Sequence, residues 1–69
     1  MKEHNKKLLD FIKQYISDNG YAPSYTEMMN GTGEKSKNGI FRKLNDLEEG
    51  GFILRSSGKS RALVVNSNH

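Results

Sequence analysis

Apolar residues recur at intervals of three and four near the start of the chain. Leu8, Phe11, Ile12, Tyr15 and Ile16 form one stripe, with Lys6, Lys7, Lys13, Gln14 and Asp18 on the polar side. This is the pattern of an amphipathic helix. The spacing predicts a helix from about residue 4 to 19, ended by Gly20, which accepts the left-handed conformation common after helices. Leu9 falls off the main stripe and is expected to be partly exposed. Tyr21-Ala22-Pro23 must run extended, because proline fixes its own φ and pushes the preceding residue out of the helical region. Ser24-Tyr25-Thr26-Glu27 then has capping-box spacing. It predicts a short helix over about 25–31 that presents Met28 and Met29 to the core and stops at Gly31 and Gly33.

Residues 32–36 read as a turn. A third helix is expected to start near Ser36 or Lys37, with Ser36 as its N-cap. Ile40, Leu44 and Leu47 make its inward stripe, and Gly50-Gly51 ends it. Its outer face carries Lys37, Asn38, Phe41, Arg42 and Asn45. Phe52-Ile53-Leu54-Arg55 and Arg61-Ala62-Leu63-Val64-Val65 have strand composition, separated by the polar turn Ser56-Ser57-Gly58-Lys59-Ser60. The predicted class is α+β, mainly α: three helices followed by a β-hairpin wing, the order of a winged helix-turn-helix. Residues 1–65 are expected to form this one domain, with 66–69 as a flexible tail.

Composition narrows the function classes. With 69 residues, 33% of them hydrophobic, there is material for one small core and none for a two-lobed enzyme. The absence of cysteine excludes disulfides and thiolate metal sites. His4 and His69 lie at opposite ends, which disfavours a paired-histidine metal site. No apolar run is long enough for a membrane span or a signal peptide. The carboxylates fall on helix surfaces, and Gly31-Thr32-Gly33 lacks the lysine-serine context of a phosphate loop. The expectation is therefore a cytoplasmic protein that is not an enzyme, with no catalytic residues, no cofactor, no metal and no membrane partner.

The net charge of +3 changes the picture only when it is located. Residues 1–34 sum to −1 and residues 35–61 to +4, while 62–69 carry no formal side-chain charge with His69 neutral. The excess lies in the segment that contains the third helix and the wing, which makes a polyanion the expected partner. On that helix Asn38 suits bidentate contact with adenine, and Arg42 suits guanine O6 and N7. Each also has a structural reading: Asn38 as a polar first-turn residue, Arg42 as an i,i+4 partner of Asp46. Phe41 is adjacent to the core stripe. It is partly buried there, or meets a thymine methyl, or marks a protein-binding patch. Lys35, Lys37 and Lys43 read as phosphate neutralisers. Lys59 and Arg61 suit phosphate or minor-groove contact, or else keep a hairpin edge soluble. Ser24 and Glu27 are caps first, and Tyr21 and Tyr25 packing residues.

From Gly20 to Val65 the chain resembles the N-terminal DNA-binding domain of the LexA repressor family. The matching residues are Gly20-Tyr21-Ala22-Pro23-Ser24 with Glu27, then Gly33, Ser36-Lys37-Asn38, Leu44, Leu47, Gly51-Phe52-Ile53 and Ser57-Gly58-Lys59-Ser60-Arg61, aligned without gaps. The resemblance implies that the start of the third helix reads DNA through Ser36, Asn38, Gly39, Phe41 and Arg42, with wing contacts from Ser57, Gly58 and Arg61. Three departures stand out. Small or acidic residues are usual where this chain has Ile40, Phe41 and Arg42, which implies a different base preference. Thr32 replaces the hydrophobic residue usual before the turn glycine, which implies a loosely docked second helix. The family's self-cleaving domain does not fit in this length, and the opening methionine with the polar tail reads as a complete short chain.

Two functions follow as expectations. The first is a sequence-specific double-stranded DNA-binding regulator, repressor-like, with the third helix in the major groove and the wing on the backbone or minor groove. It would act as a weak homodimer on a palindrome or with a protein partner. The second is a winged-helix interaction module that modulates another regulator or a nucleic-acid enzyme, using Phe41, Ile40 and the Met28–Thr32 region as its patch.

Overall fold

The computed structural model describes residues 3–55 and 63–66. The order is α1 (Glu3–Asn19), α2 (Tyr25–Thr32), α3 (Lys37–Glu49), β1 (Ile53–Arg55) and β2 (Leu63–Val65). The strands pair antiparallel, with Ile53 opposite Val65, Leu54 opposite Val64 and Arg55 opposite Leu63. This is the winged helix-turn-helix order, and each predicted element is present. The expected hairpin turn, together with Arg61 and Ala62, lies outside the described residues.

One core joins all five elements. Leu8, Ile12, Met28, Ile40, Leu44, Leu47 and Ile53 are fully buried, with Leu9, Ala22 and Leu63 nearly so. Leu9 is a correction: it is 4% exposed rather than partly exposed. The reason is the azimuth of α1. Its buried face is centred on Asn5, Leu8, Leu9 and Ile12, while Phe11, Tyr15 and Ile16 lie half-buried along the flank. Helical spacing allowed either arrangement, and in the fold Leu9 lies beside Phe52 and Val65. Asn5 enters this face because its amide has a partner: Nδ2 donates to Asp46 Oδ2 of α3 at 3.4 Å.

The junction between α1 and α2 is closed by a capping box with a third member. Ser24 Oγ accepts from the Glu27 amide at 3.2 Å, and Glu27 Oε1 accepts from the Ser24 amide at 2.6 Å. The other carboxylate oxygen accepts from Tyr15 Oη of α1 at 2.7 Å. A local motif is thereby bonded to its neighbouring helix. Tyr15 also packs edge-on against Tyr21, their ring centroids 5.8 Å apart.

Helix α2 runs through Gly31, which the sequence reading made a stop. The helix ends instead at Gly33, with φ +80° and its N–H bonded to Met29 O at 2.9 Å. A left-handed residue there turns the chain sharply toward α3 at little steric cost. Gly31 serves packing: a Cβ built on it would clash with the edge of the Phe11 ring. Thr32 satisfies its hydroxyl locally, donating to Met28 O at 2.7 Å. With Met28 fully buried and Gly31 against Phe11, α2 is closely docked, contrary to what Thr32 implied.

The end of α3 is a Schellman motif. Phe52 N–H donates to Leu47 O at 2.9 Å and Gly51 N–H to Glu48 O at 3.0 Å, with Gly51 at φ +81°. The turn directs the chain straight into β1. After β2, Asn66 is bonded twice, its backbone N–H to Phe52 O and its Nδ2 to Gly51 O, both at 2.9 Å. These two bonds tie Asn66 to the turn before β1; residues 67–69 lie outside the described residues.

The Gly31–Phe11 contact is testable. In an open helix, glycine to alanine stabilises by up to ~1 kcal/mol. Here Gly31→Ala is expected to destabilise by about 1–3 kcal/mol through overpacking, measured by urea unfolding. A stabilised variant would show that α1 and α2 are not held this close.

Candidate nucleic-acid interface

The buried stripe Ile40, Leu44 and Leu47 fixes which side of α3 faces outward. Lys35, Ser36, Lys37 and Asn38 are exposed at its start, with Phe41 and Arg42 one turn on. These six predicted site residues thus lie on one continuous surface. The Ser36 hydroxyl is occupied locally, accepting from the Gly39 amide at 3.0 Å as the helix N-cap. That leaves the first turn formed and its remaining amides directed outward from the helix start.

Gly39 is half-buried, and the reason lies with Glu34. A Cβ on Gly39 would meet the Glu34 carboxyl, whose nearest atom is 2.5 Å from the built position. Glu34 folds over the first turn of α3. It accepts from Lys35 N at 3.2 Å and from Lys43 Nζ at 2.7 Å. The Lys43 hydrogen bond lowers the Glu34 pKa below its ordinary value; partial desolvation opposes it, and the Lys43 charge and the backbone amides of Lys35 and Ser36 add to the lowering. Lys43 was expected to neutralise phosphate. In this geometry its charge is already met by a carboxylate.

Arg55 makes the second ion pair. From the end of β1 its Nε and Nη2 donate to Glu48 Oε1 at 3.1 and 2.8 Å, and Nη2 also donates to Asn45 Oδ1. Its guanidinium carbon lies 5.6 Å from the centre of the Phe41 ring. The Arg55 hydrogen bond holds the Glu48 carboxyl below its ordinary pKa, again against some desolvation. No spacing rule in the sequence pointed to Arg55, because its partners lie on another element.

Among the described residues, Lys35, Lys37 and Arg42 form no ion pair. The alternative reading of Arg42 as a partner of Asp46 is not what is seen: no ion pair joins them, and the Asp46 carboxylate accepts from Asn5. Phe41 remains 46% exposed even beneath Arg55. Ile40, expected beside it in a protein-binding patch, is fully buried and contributes nothing to the surface. Ser57, Gly58, Lys59 and Arg61 lie outside the described residues. One grouping was not foreseen: Lys6 and Lys7 of α1 line a shallow depression with Thr32 and Lys43, in which Glu3 and Asp10 balance part of the positive charge. No helix among the described residues is long and apolar enough to cross a membrane.

Both carboxylates have depressed pKa values in the folded state, so the stability they contribute is present above the unfolded pKa. It is lost as pH falls through the folded value. Glu34→Gln and Glu48→Gln are each expected to reduce the loss of stability between neutral and acid pH, read from thermal melts across that range. Carboxyl chemical shifts of Glu34 and Glu48 titrating at or above 4.5, the ordinary value, would contradict both pairs.

Comparison with known proteins adds the family. Residues 1–62 match the model of the LexA DNA binding domain. The LexA repressor of Carboxydothermus hydrogenoformans is 38% identical over 65 residues, covering 94% of this chain and 32% of that protein. The LexA repressor of Pelagibacter ubique is 45% identical over 65 residues, covering 94% and 29%. That of Novosphingobium aromaticivorans is 44% identical over 64 residues, covering 93% and 26%. The chain thus spans about a third or less of the length of the curated relatives it matches.

Proposed function

The chain belongs to the LexA DNA-binding domain family, and on that premise we propose that it binds double-stranded DNA sequence-specifically as the DNA-binding part of a repressor-like transcriptional regulator. The observation that carries this reading is the outer face of α3. Lys35, Lys37, Asn38 and Arg42 are exposed together there, and the three cations form no ion pair among the described residues. The outer face of a helix held by a turn fits a B-DNA major groove.

The proposed roles follow from the chemistry of each side chain. Lys35 and Lys37, at the entry to the helix, neutralise phosphates. Asn38 offers an acceptor and a donor to adenine, and Arg42 two donors to guanine. Ser36 holds the helix start through its bond to Gly39, and the small Gly39 admits the Glu34 carboxyl that braces that turn. Phe41 supplies apolar surface in the same groove. The wing residues Ser57, Gly58, Lys59 and Arg61 are assigned to phosphate or minor-groove contact. Support for this comes from the Arg55–Glu48 bond, which holds the base of the hairpin against α3. A single module of this kind buries about 600–1,000 Å² and binds weakly alone. A second copy on a palindromic site is therefore part of the proposal, and action in the cytoplasm, where the DNA target lies, completes it.

Selection of bound duplexes from a random pool at about 50 mM salt tests the reading. An enriched palindrome is expected. Arg42→Ala should then change the preferred base at one position. Lys37→Ala should weaken all duplexes alike and reduce the slope of log affinity against log salt by about one unit. Unchanged preference and slope in the two variants would refute the docking of α3.

A further inference from the structure

We propose that Arg55, a residue of the wing strand, is a positioning residue for base reading: it fixes the Phe41 ring so that the ring recognises a thymine C5-methyl. The inference rests on the DNA-binding reading above and adds to it a specificity element supplied from outside the recognition helix.

Phe41, Asn45 and Glu48 are spaced four and three residues apart and form one ridge along α3. Arg55 lies across that ridge. Its Nε and Nη2 grip Glu48 Oε1 at 3.1 and 2.8 Å, and Nη2 also holds Asn45 Oδ1. Two attachment points determine the plane of a guanidinium, and the third residue of the ridge sits beneath it, with the Phe41 centroid 5.6 Å from the guanidinium carbon. A planar cation over a ring face restrains the ring as well as attracting it. The Arg55 side chain is only 19% exposed and its charge is matched by Glu48, so it is built as a clamp and not as a phosphate anchor.

Phe41 keeps 46% of its surface exposed under this clamp. A phenyl ring can neither donate nor accept a conventional hydrogen bond. Of the groups that the four bases present in the major groove, the thymine methyl is the one an apolar edge distinguishes. The same clamp also settles the orientation of Asn45. Because its oxygen accepts from Arg55, its amide nitrogen is the end left to face away, and Asn45 is a donor at this surface.

Replacing thymine by uracil removes only the methyl group, so a duplex selected by the wild-type protein can be scanned one thymine at a time. Wild type is expected to lose about fourfold in affinity at the position Phe41 reads, the equivalent of one buried methyl. Phe41→Ala should be indifferent to that replacement. Arg55→Gln should lose most of the discrimination at that position while keeping the penalties at the other thymines of the site. Glu48→Ala, which removes one anchor of the clamp without altering either member of the stacked pair, should also lose discrimination at that position, with melting curves confirming that both variants are folded. Full thymine-over-uracil discrimination in Arg55→Gln overturns the inference. A wild type that enriches a site but shows no uracil penalty anywhere overturns this inference and leaves the DNA reading standing. A wild type that enriches no site overturns the DNA reading as well.

Discussion

The rotation of α3 about its own axis is the constraint on which the rest of the structure depends. Ile40, Leu44 and Leu47 leave no exposed surface, and each packs into a core shared with Leu8 and Ile12 of α1, Met28 of α2 and Ile53 of β1. Close-packed interiors tolerate little displacement, so these residues lock the helix in angle and in depth. Once they are inside, Lys37, Asn38, Phe41 and Arg42 have no freedom to be anywhere but outside. The left-handed glycines at 33 and 51 bring the chain into and out of this helix at fixed angles. The interface is in this sense a by-product of the core.

Electrostatics then sorts the cations that the core leaves exposed. The segment from residue 35 to 61 carries +4, yet the charge is not uniformly available. Glu34 takes up Lys43 and Glu48 takes up Arg55. Each pair lies at one end of α3 and does a positional task. Glu34 braces the first turn against Gly39, and Glu48 ties the strand to the last turn. Partly exposed pairs of this kind add little stability alone. Their effect here is geometric, since each removes a cation from the pool facing a polyanion and uses it to hold an element in place.

The fold of this LexA-family domain is economical in the same manner. The Glu27 carboxylate closes a helix cap with one oxygen and binds Tyr15 of another helix with the other. Asn66 closes the domain through two bonds to the Gly51–Phe52 turn. With so few fully buried side chains, polar groups that serve local and tertiary structure together supply part of the definition that a larger core would give.

Periodicity and turn chemistry alone determined the five elements, the three helix starts and ends to within a residue or two, the inward stripe of α3 and the identity of its outward face. These are local properties: spacing, capping groups and glycines act within a few residues of one another. Leu9, Gly31 and Arg55 were decided only in three dimensions. Leu9 is buried because Phe52 and Val65 come to lie beside it, which the α1 spacing alone does not reveal. Gly31 stays within the helix, and its missing side chain leaves the space that the Phe11 ring occupies. Arg55 reaches the ridge of Phe41, Asn45 and Glu48 because the Schellman turn sets β1 alongside α3. The contact of Asn5 with Asp46, 41 residues apart in sequence, is likewise a product of packing. No pattern within a helical turn or a strand encodes such a distance; packing alone brings those atoms together.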